Sequence, residues 1–343
     1  MKNIERLVRN NIRLLTPYTC ARDEYSGRKG IFLDANENPY GDLNRYPDPY
    51  HRELRSAISC LKGIKPESIF LGNGSDEVID LTYRIFCNPG KDSALIFTPT
   101  YGMYEVLAGI NDVTVLKIPL TGNFQIDLEN SSSWRTDKNL KLIFICSPNN
   151  PTGNCISIES ISKITEDFRG IVLIDEAYID FSDKPSALNL LKKYPNLIVM
   201  QTFSKAWGAA AIRVGIAFSN PGIISCFYKV KTPYNISTLN QNEALKRLYD
   251  GEKFRNQIRK IKAERERLKR QLNGLAFTEK VYQSDANFLL VKVTNATLIY
   301  QKLIEKNIIV RNRASVIENC LRITTGTRTE NNLLIKELKK ITL

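Results

Sequence analysis

Histidine is nearly missing from this 343-residue chain, with His51 the sole example. That scarcity excludes histidine-rich metal sites, so no metal is expected. It also leaves any Ser-His-Asp triad dependent on one residue in a loop-like stretch, so proton transfer falls to another side chain, with lysine the leading substitute. The seven cysteines (Cys20, Cys60, Cys87, Cys146, Cys155, Cys226 and Cys320) are odd in number, widely spaced and free of any C-x-x-C pair. This is reduced, cytosolic usage. No apolar run reaches a membrane-spanning length, and MKNIERLVRNNIRLL at the start scatters charges where a signal peptide would be unbroken and apolar. The expected location is the cytoplasm, without a membrane partner. Internal repeats, low-complexity tracts, zinc-finger spacings and RNP-like aromatic boxes are also lacking.

What remains is ordinary for a soluble globular protein: 43% hydrophobic and 25% charged residues. The length exceeds the roughly 250 to 300 residues that one core supports, so two domains are expected. Lysine and arginine outnumber aspartate and glutamate 49 to 36, which suits nucleic acid, a membrane surface or small anionic substrates. The densest basic run, Lys253 to Arg270, carries Glu264 and Glu266 and spaces Phe254, Ile258, Ile261 and Leu268 at helical intervals. It reads as an amphipathic helix with a wet face, not as a nucleic-acid surface.

Residues 1 to 35 read as an arm, followed by DANENPYGDLNRYPDP (Asp34 to Pro49), too punctuated by Asn and Pro for a helix or strand. A helix is expected from His51 to Leu61. Strand and helix then alternate, with strands at Ser68 to Leu71, Ala94 to Phe97 and Val113 to Ile118. Three later apolar runs each hand over to polar residues: LKLIFI to CSPNNPTG, GIVLI to DEAY and NLIVM to QTFSK. Such alternation predicts a mostly parallel sheet whose carboxyl ends share one edge, where Asn150, Asp175 and Lys205 would meet. Beyond Pro233 to Ser237 a helical tract to about Leu272 leads to strands at Phe288 to Val293 and Leu321 to Thr324. With helices at Ala296 to Lys306 and from Glu330 to the end, these make a smaller α+β C-terminal domain. The expected division is an arm over 1–35, a large α/β domain over 36–235, and a linker helix with the small domain over 236–343.

Lys205 emerges just past a strand, beside Thr202 and Ser204, with small residues after it and Arg213 eight positions on. Two hydroxyls and an arginine suit a phosphate, and a lysine suits an aldehyde, a pairing that points to pyridoxal 5'-phosphate. The turn at Gly72 to Glu77 joins a strand to a helix, where free amide groups favour an anion, although Asp76 and Glu77 also read as helix caps. Asp175 leaves a buried strand and either pairs with the ring nitrogen of that cofactor, making it an electron sink, or serves as N-cap of the next helix. Asn150 and Tyr178 suit the ring's phenolic oxygen, and Tyr101 suits stacking on its face. In this reading Lys205 first holds the cofactor and then, displaced by the substrate amine, moves the alpha proton. Arg322, late in a strand, is placed to take a carboxylate or phosphate.

SPNNPTG, DEAY, the Ser-Lys pair with an arginine eight on, and LRIT together resemble the fold-type I, aspartate-aminotransferase-like pyridoxal-phosphate enzymes. Within that group LDANENPYG, NRYPDP, GNGSDE, PTYGMY, ANFLLVK and LRITTGT are similar to the histidinol-phosphate aminotransferase family. The resemblance implies a fold-type I large domain and amino transfer between L-histidinol phosphate and 2-oxoglutarate in histidine biosynthesis, by a homodimer. It also implies roles: Lys205 as the Schiff-base lysine, Asp175 as the ring-nitrogen partner, Asn150 and Tyr178 on the phenolic oxygen, and Tyr101 on the ring. Ser75, Asp76, Thr202, Ser204 and Arg213 match the phosphate cup, Tyr46 a residue reaching the partner subunit's cofactor, and Tyr18, Asn36 and Arg322 substrate-side positions. One departure is Ala211, where glycine is usual, which puts fine cofactor geometry in doubt. A threonine-phosphate decarboxylase or an aromatic aminotransferase would share Lys205 and Asp175. A basic nucleic-acid-binding regulator on the same fold is the alternative outside enzymes.

Overall fold

Strands that are apolar at nearly every position need cover on both faces, and helices supply it here. The computed structural model describes residues 4–20, 30–129 and 132–341. Residues 1–3 and 21–29 of the expected arm, and 342–343 at the end of the last expected helix, lie outside the described residues. A short helix α1 (Asn10–Leu14) and α2 (Arg52–Lys62) precede the alternating region. That region runs β1 (Ile69–Asn73), α3 (Ser75–Phe86), β2 (Ser93–Thr98), α4 (Met103–Ile110), β3 (Thr114–Pro119) and β4 (Leu140–Cys146). It continues through α5 (Ile158–Asp167), β5 (Ile171–Asp175), β6 (Leu197–Thr202) and β7 (Val214–Ser219).

The seven strands lie in the order β1-β7-β6-β5-β4-β2-β3. β7 alone runs antiparallel to its neighbours. It is also the strand not expected from sequence, because Gly215 and Ala217 thin its apolar signal. Side chains alternate across the sheet as the two-residue period requires. Phe70, Phe144, Leu173 and Met200 pack on one face beneath α3, α4 and α6 (Pro221–Val230). Ile143, Ile145, Val172, Ile174 and Val199 pack on the other against α5, and Leu71, Ile216 and Phe218 against α2 and α7 (Thr238–Tyr249).

The helical tract beyond Ser237 is two helices, α7 and α8 (Gly251–Asn273), meeting at Asp250. A second sheet follows, built from β8 (Thr278–Val281), β9 (Phe288–Val293), β10 (Arg311–Asn312) and β11 (Cys320–Thr324), with α9 (Ala296–Ile304) and α10 (Arg328–Leu338). It is antiparallel, in the order β10-β11-β9-β8. Ile258, Leu268 and Leu272 bury one side of α8 while Lys253, Arg255, Arg259 and Lys260 stay in water. Arg265 departs from that wet face: it is buried and donates to the Ala286 carbonyl at 2.7 Å, tying α8 to the turn before β9.

His51, expected in a loop-like stretch, is fully buried at the N-cap of α2 in a left-handed conformation (φ 51°). Burial first, then the Lys231 ammonium, push its imidazole down to about 3. The unfolded chain takes up a proton here below the ordinary histidine value of about 6.5, while the folded protein does not until much lower pH, so stability falls as pH drops through that window. The variant His51→Asn, which tolerates the same backbone, should lose about 2 kcal/mol less than the wild type between roughly pH 7 and pH 5. Urea midpoints of both proteins at the two pH values check this, and equal losses would contradict it.

Candidate active site

Hydrogen-bond register brings the carboxyl ends of three strands to one rim. Cys146 of β4 lies opposite Asp175 of β5, and Asp175 opposite Met200 of β6. Asn150, Asp175 and Lys205 therefore line a single cavity of about 210 Å³. Ser75, Asp76, Thr202, Ser204 and Arg213 line it too, as do Tyr101, Tyr178 and Arg322.

Asp175 is only 3% exposed. Its Oδ2 accepts from the Tyr104 hydroxyl at 2.7 Å and its Oδ1 from the Ala177 amide at 3.0 Å; it caps no helix, since Tyr178 is the N-cap of the short turn Ile179–Phe181 that follows. Burial holds this carboxyl above the usual carboxylate range, and those two hydrogen bonds only partly oppose the rise. Lys205 stays open to the cavity, yet the protein around it displaces enough water to push its ammonium down, helped by the positive charge of Arg322. Asp175 acts on it in the opposite sense. The Lys205 Nζ lies 5.5 Å from the centre of the Tyr178 ring. An amine with a lowered proton affinity and a buried carboxyl thus share one enclosure.

The anion-binding end rests on two glycines. Gly74 (φ +79°) caps α3 without a side-chain cap, leaving the first amides of that helix for another acceptor. A Cβ on Gly215 would lie 2.5 Å from the Ser75 nitrogen and 2.4 Å from the Gly74 carbonyl carbon. Only glycine in β7 lets the two backbones approach so closely. Arg213 reaches the same corner, its Nη1 3.5 Å from Ser204 Oγ and its Nη2 3.7 Å from Asp76 Oδ2. The Ser204 amide donates to Thr202 Oγ1 at 3.1 Å. Amide groups, hydroxyls and a guanidinium fit a phosphate, and with the amine and the carboxyl they fit the aldehyde, phosphate and ring nitrogen of pyridoxal 5'-phosphate. Ala211 is exposed in an ordinary 3-10 turn, Ala210–Ile212, so its methyl crowds nothing in the cavity.

The Tyr101 hydroxyl donates to Asp76 Oδ1 at 3.2 Å. Tyr178 packs edge-on against Phe288 of β9, 5.1 Å between centroids, which brings the second sheet to the cavity. From that sheet Arg322 donates to Asn150 Oδ1 at 2.5 Å. β10 pairs Arg311 with Arg322, and Arg313 follows with a buried Nε that has no hydrogen-bond partner among the described residues. Tyr104, Arg311 and Arg313 are not among the residues expected from sequence. The Tyr-x-x-Tyr spacing of PTYGMY and the Arg-x-Arg of VRNRAS are the only signals that could have found them.

Three expected residues are not brought to this cavity by the chain itself. Tyr18 is 72% exposed on the arm. Asn36 (φ 55°) and Tyr46 line a separate groove of about 830 Å³ with Ser237 to Leu239, and Tyr46 stacks on Tyr234 at 4.4 Å. Among the described residues no cluster of histidine, cysteine, aspartate and glutamate could hold a metal ion, and no helix is long and apolar enough to cross a membrane.

The family described as "Aminotransferase class I and II" matches residues 29–338. Over 99% of both chains the protein is 51% identical to a histidinol-phosphate aminotransferase of Bacteroides thetaiotaomicron. A crystal structure of the histidinol-phosphate aminotransferase from Clostridium acetobutylicum is 28% identical with a TM-score of 0.79, covering 87% of this chain and 90% of the other. The fold is also that of a Sinorhizobium meliloti histidinol-phosphate aminotransferase in complex with pyridoxal-5'-phosphate, with a TM-score of 0.80 at 24% identity over 89% of each chain.

Because the methyl of Gly215→Ala has only backbone to push against, this variant should lose about 1 to 3 kcal/mol of stability. It should also show a smaller rise in melting temperature on adding pyridoxal 5'-phosphate than the wild type. Thermal denaturation with and without the compound checks both, and an unchanged rise would show that the close approach of β7 to α3 does not shape the site.

Proposed function

The chain belongs to the class I and II aminotransferases, and on that premise we propose that it transfers an amino group between L-histidinol phosphate and 2-oxoglutarate. The products are imidazole acetol phosphate and L-glutamate, a step of L-histidine biosynthesis. The observation that carries this reading is the amine of Lys205 and the buried carboxyl of Asp175 lining one cavity, in a chain similar over its whole length to enzymes of that name.

Pyridoxal 5'-phosphate, when bound, supplies the electron sink that makes the hydrogen on the substrate's alpha carbon removable. Lys205 Nζ would take that proton from the alpha carbon and deliver it to the carbon that carried the cofactor's aldehyde, a task suited to an amine whose pKa is lowered by desolvation and by Arg322. Asp175 holds the proton on the ring nitrogen. Ser75 with the first amides of α3, Thr202, Ser204 and Arg213 hold the phosphate, and Asp76 orients Arg213 and Tyr101. Asn150 and Tyr178 would hold the phenolic oxygen, and Tyr101 would cover the ring. Arg322, with Arg311 beside it, takes the phosphate of one substrate and a carboxylate of the other.

Tyr46 faces its own groove, an arrangement that suits a role in the neighbouring subunit's cavity, so the reading includes a homodimer with Tyr18 and Asn36 on the substrate side. It also includes a cytoplasmic location, small-molecule partners only, and a boundary near residue 235 between a large and a small domain.

Purified protein loaded with pyridoxal 5'-phosphate should turn over histidinol phosphate with 2-oxoglutarate. Its visible absorption band should bleach with borohydride, and Lys205→Ala should lose that bleaching along with about 100- to 10,000-fold or more in kcat. Good turnover of threonine phosphate with none of histidinol phosphate would move the assignment to a decarboxylase on the same scaffold.

A further inference from the structure

We propose that Tyr104 is a positioning residue for this reaction: its hydroxyl keeps Asp175 a carboxylate, and so keeps the proton on the cofactor's ring nitrogen. The inference rests on the reading of Asp175 as the ring-nitrogen partner. Tyr104 lines no part of the cavity and touches no substrate. It is fully buried behind Asp175 and donates to Oδ2 at 2.7 Å, while the Ala177 amide donates to Oδ1 at 3.0 Å.

The tyrosine is held with its hydroxyl on Asp175, beside the buried Cys146 thiol. Its ring stacks on Phe144 at 5.1 Å with 19° between planes, and meets Tyr101 edge-on at 5.6 Å. Its carbonyl accepts from the Tyr83 hydroxyl at 2.8 Å, and burial keeps its own phenol protonated. It can therefore act on Asp175 only as a donor. A proton shared between a pyridine nitrogen and a carboxylate sits on the nitrogen when the anion is stabilised, and moves to the oxygen when it is not. A hydrogen bond to a charged acceptor in a dry site biases that equilibrium by about tenfold to a hundredfold. Tyr104 supplies such a bond from the side away from the cavity, so its effect reaches the ring only through Asp175.

The test uses holoenzyme loaded with pyridoxal 5'-phosphate labelled with nitrogen-15 in the ring, and reads the nitrogen chemical shift beside kcat. In the wild type the shift should be that of a protonated ring. In Tyr104→Phe it should move toward the unprotonated value, with kcat lowered by about tenfold to a hundredfold. A 3-fluorotyrosine at position 104, a stronger donor of nearly the same shape, should keep the protonated value. An unchanged shift in Tyr104→Phe overturns the proposal, as does a fluorotyrosine protein that shifts the way the phenylalanine variant does, since packing would then be the cause. Wild-type protein that takes up no cofactor would sink the underlying reading instead, and this one with it.

Discussion

Asp175 sits almost out of water at the end of a central strand, and a carboxyl so placed is tolerable only where hydrogen bonds or a cation meet it. The Tyr104 hydroxyl and the Ala177 amide meet it from the protein side. The side facing the cavity is left to whatever binds there. The same enclosure holds a lysine whose ammonium is disfavoured by that shortage of water, and the corner of Ser75, Ser204 and Arg213.

Backbone ladders set these relationships. Asp175 is hydrogen-bonded in register with Cys146 and Met200, so the chain leaves the sheet toward Asn150 and Lys205 from fixed starting points. Side-chain packing closes the rest. Tyr178 against Phe288, Arg322 on Asn150 and Arg265 on the Ala286 carbonyl bring the second sheet against the rim of the first. The cavity is therefore a junction between two sheets, and neither sheet encloses it alone.

Much of this was readable before any coordinates. Asn150, Asp175 and Lys205 each follow an apolar run of strand length, and parallel strands separated by helices must end on a common edge. Ser75 and Arg213 were legible through the strand-glycine-helix junction and the small residues after Lys205. What escaped lies in contacts between distant segments. Tyr104 meets Asp175 across 71 positions of sequence, and nothing near either residue announces the other. β7 escaped because glycine and alanine, there to let α3 approach, hide the periodicity of a strand. His51 stands at an expected helix start, but its burial was not legible, because that depends on α2 docking against the sheet, which local sequence does not encode.

The hairpin of β10 and β11 has one more consequence. It puts the guanidinium groups of Arg311 and Arg322 on a different sheet from Asp175 and from the strand that leads to Lys205. On the proposed reading, recognition and bond chemistry are carried by separate pieces of backbone, joined at this rim by the Arg322–Asn150 bond and the Phe288 ring. If that reading holds, the hairpin can be recut to welcome a different acid without disturbing the register of Asp175 with Met200, which belongs to a ladder the hairpin does not share.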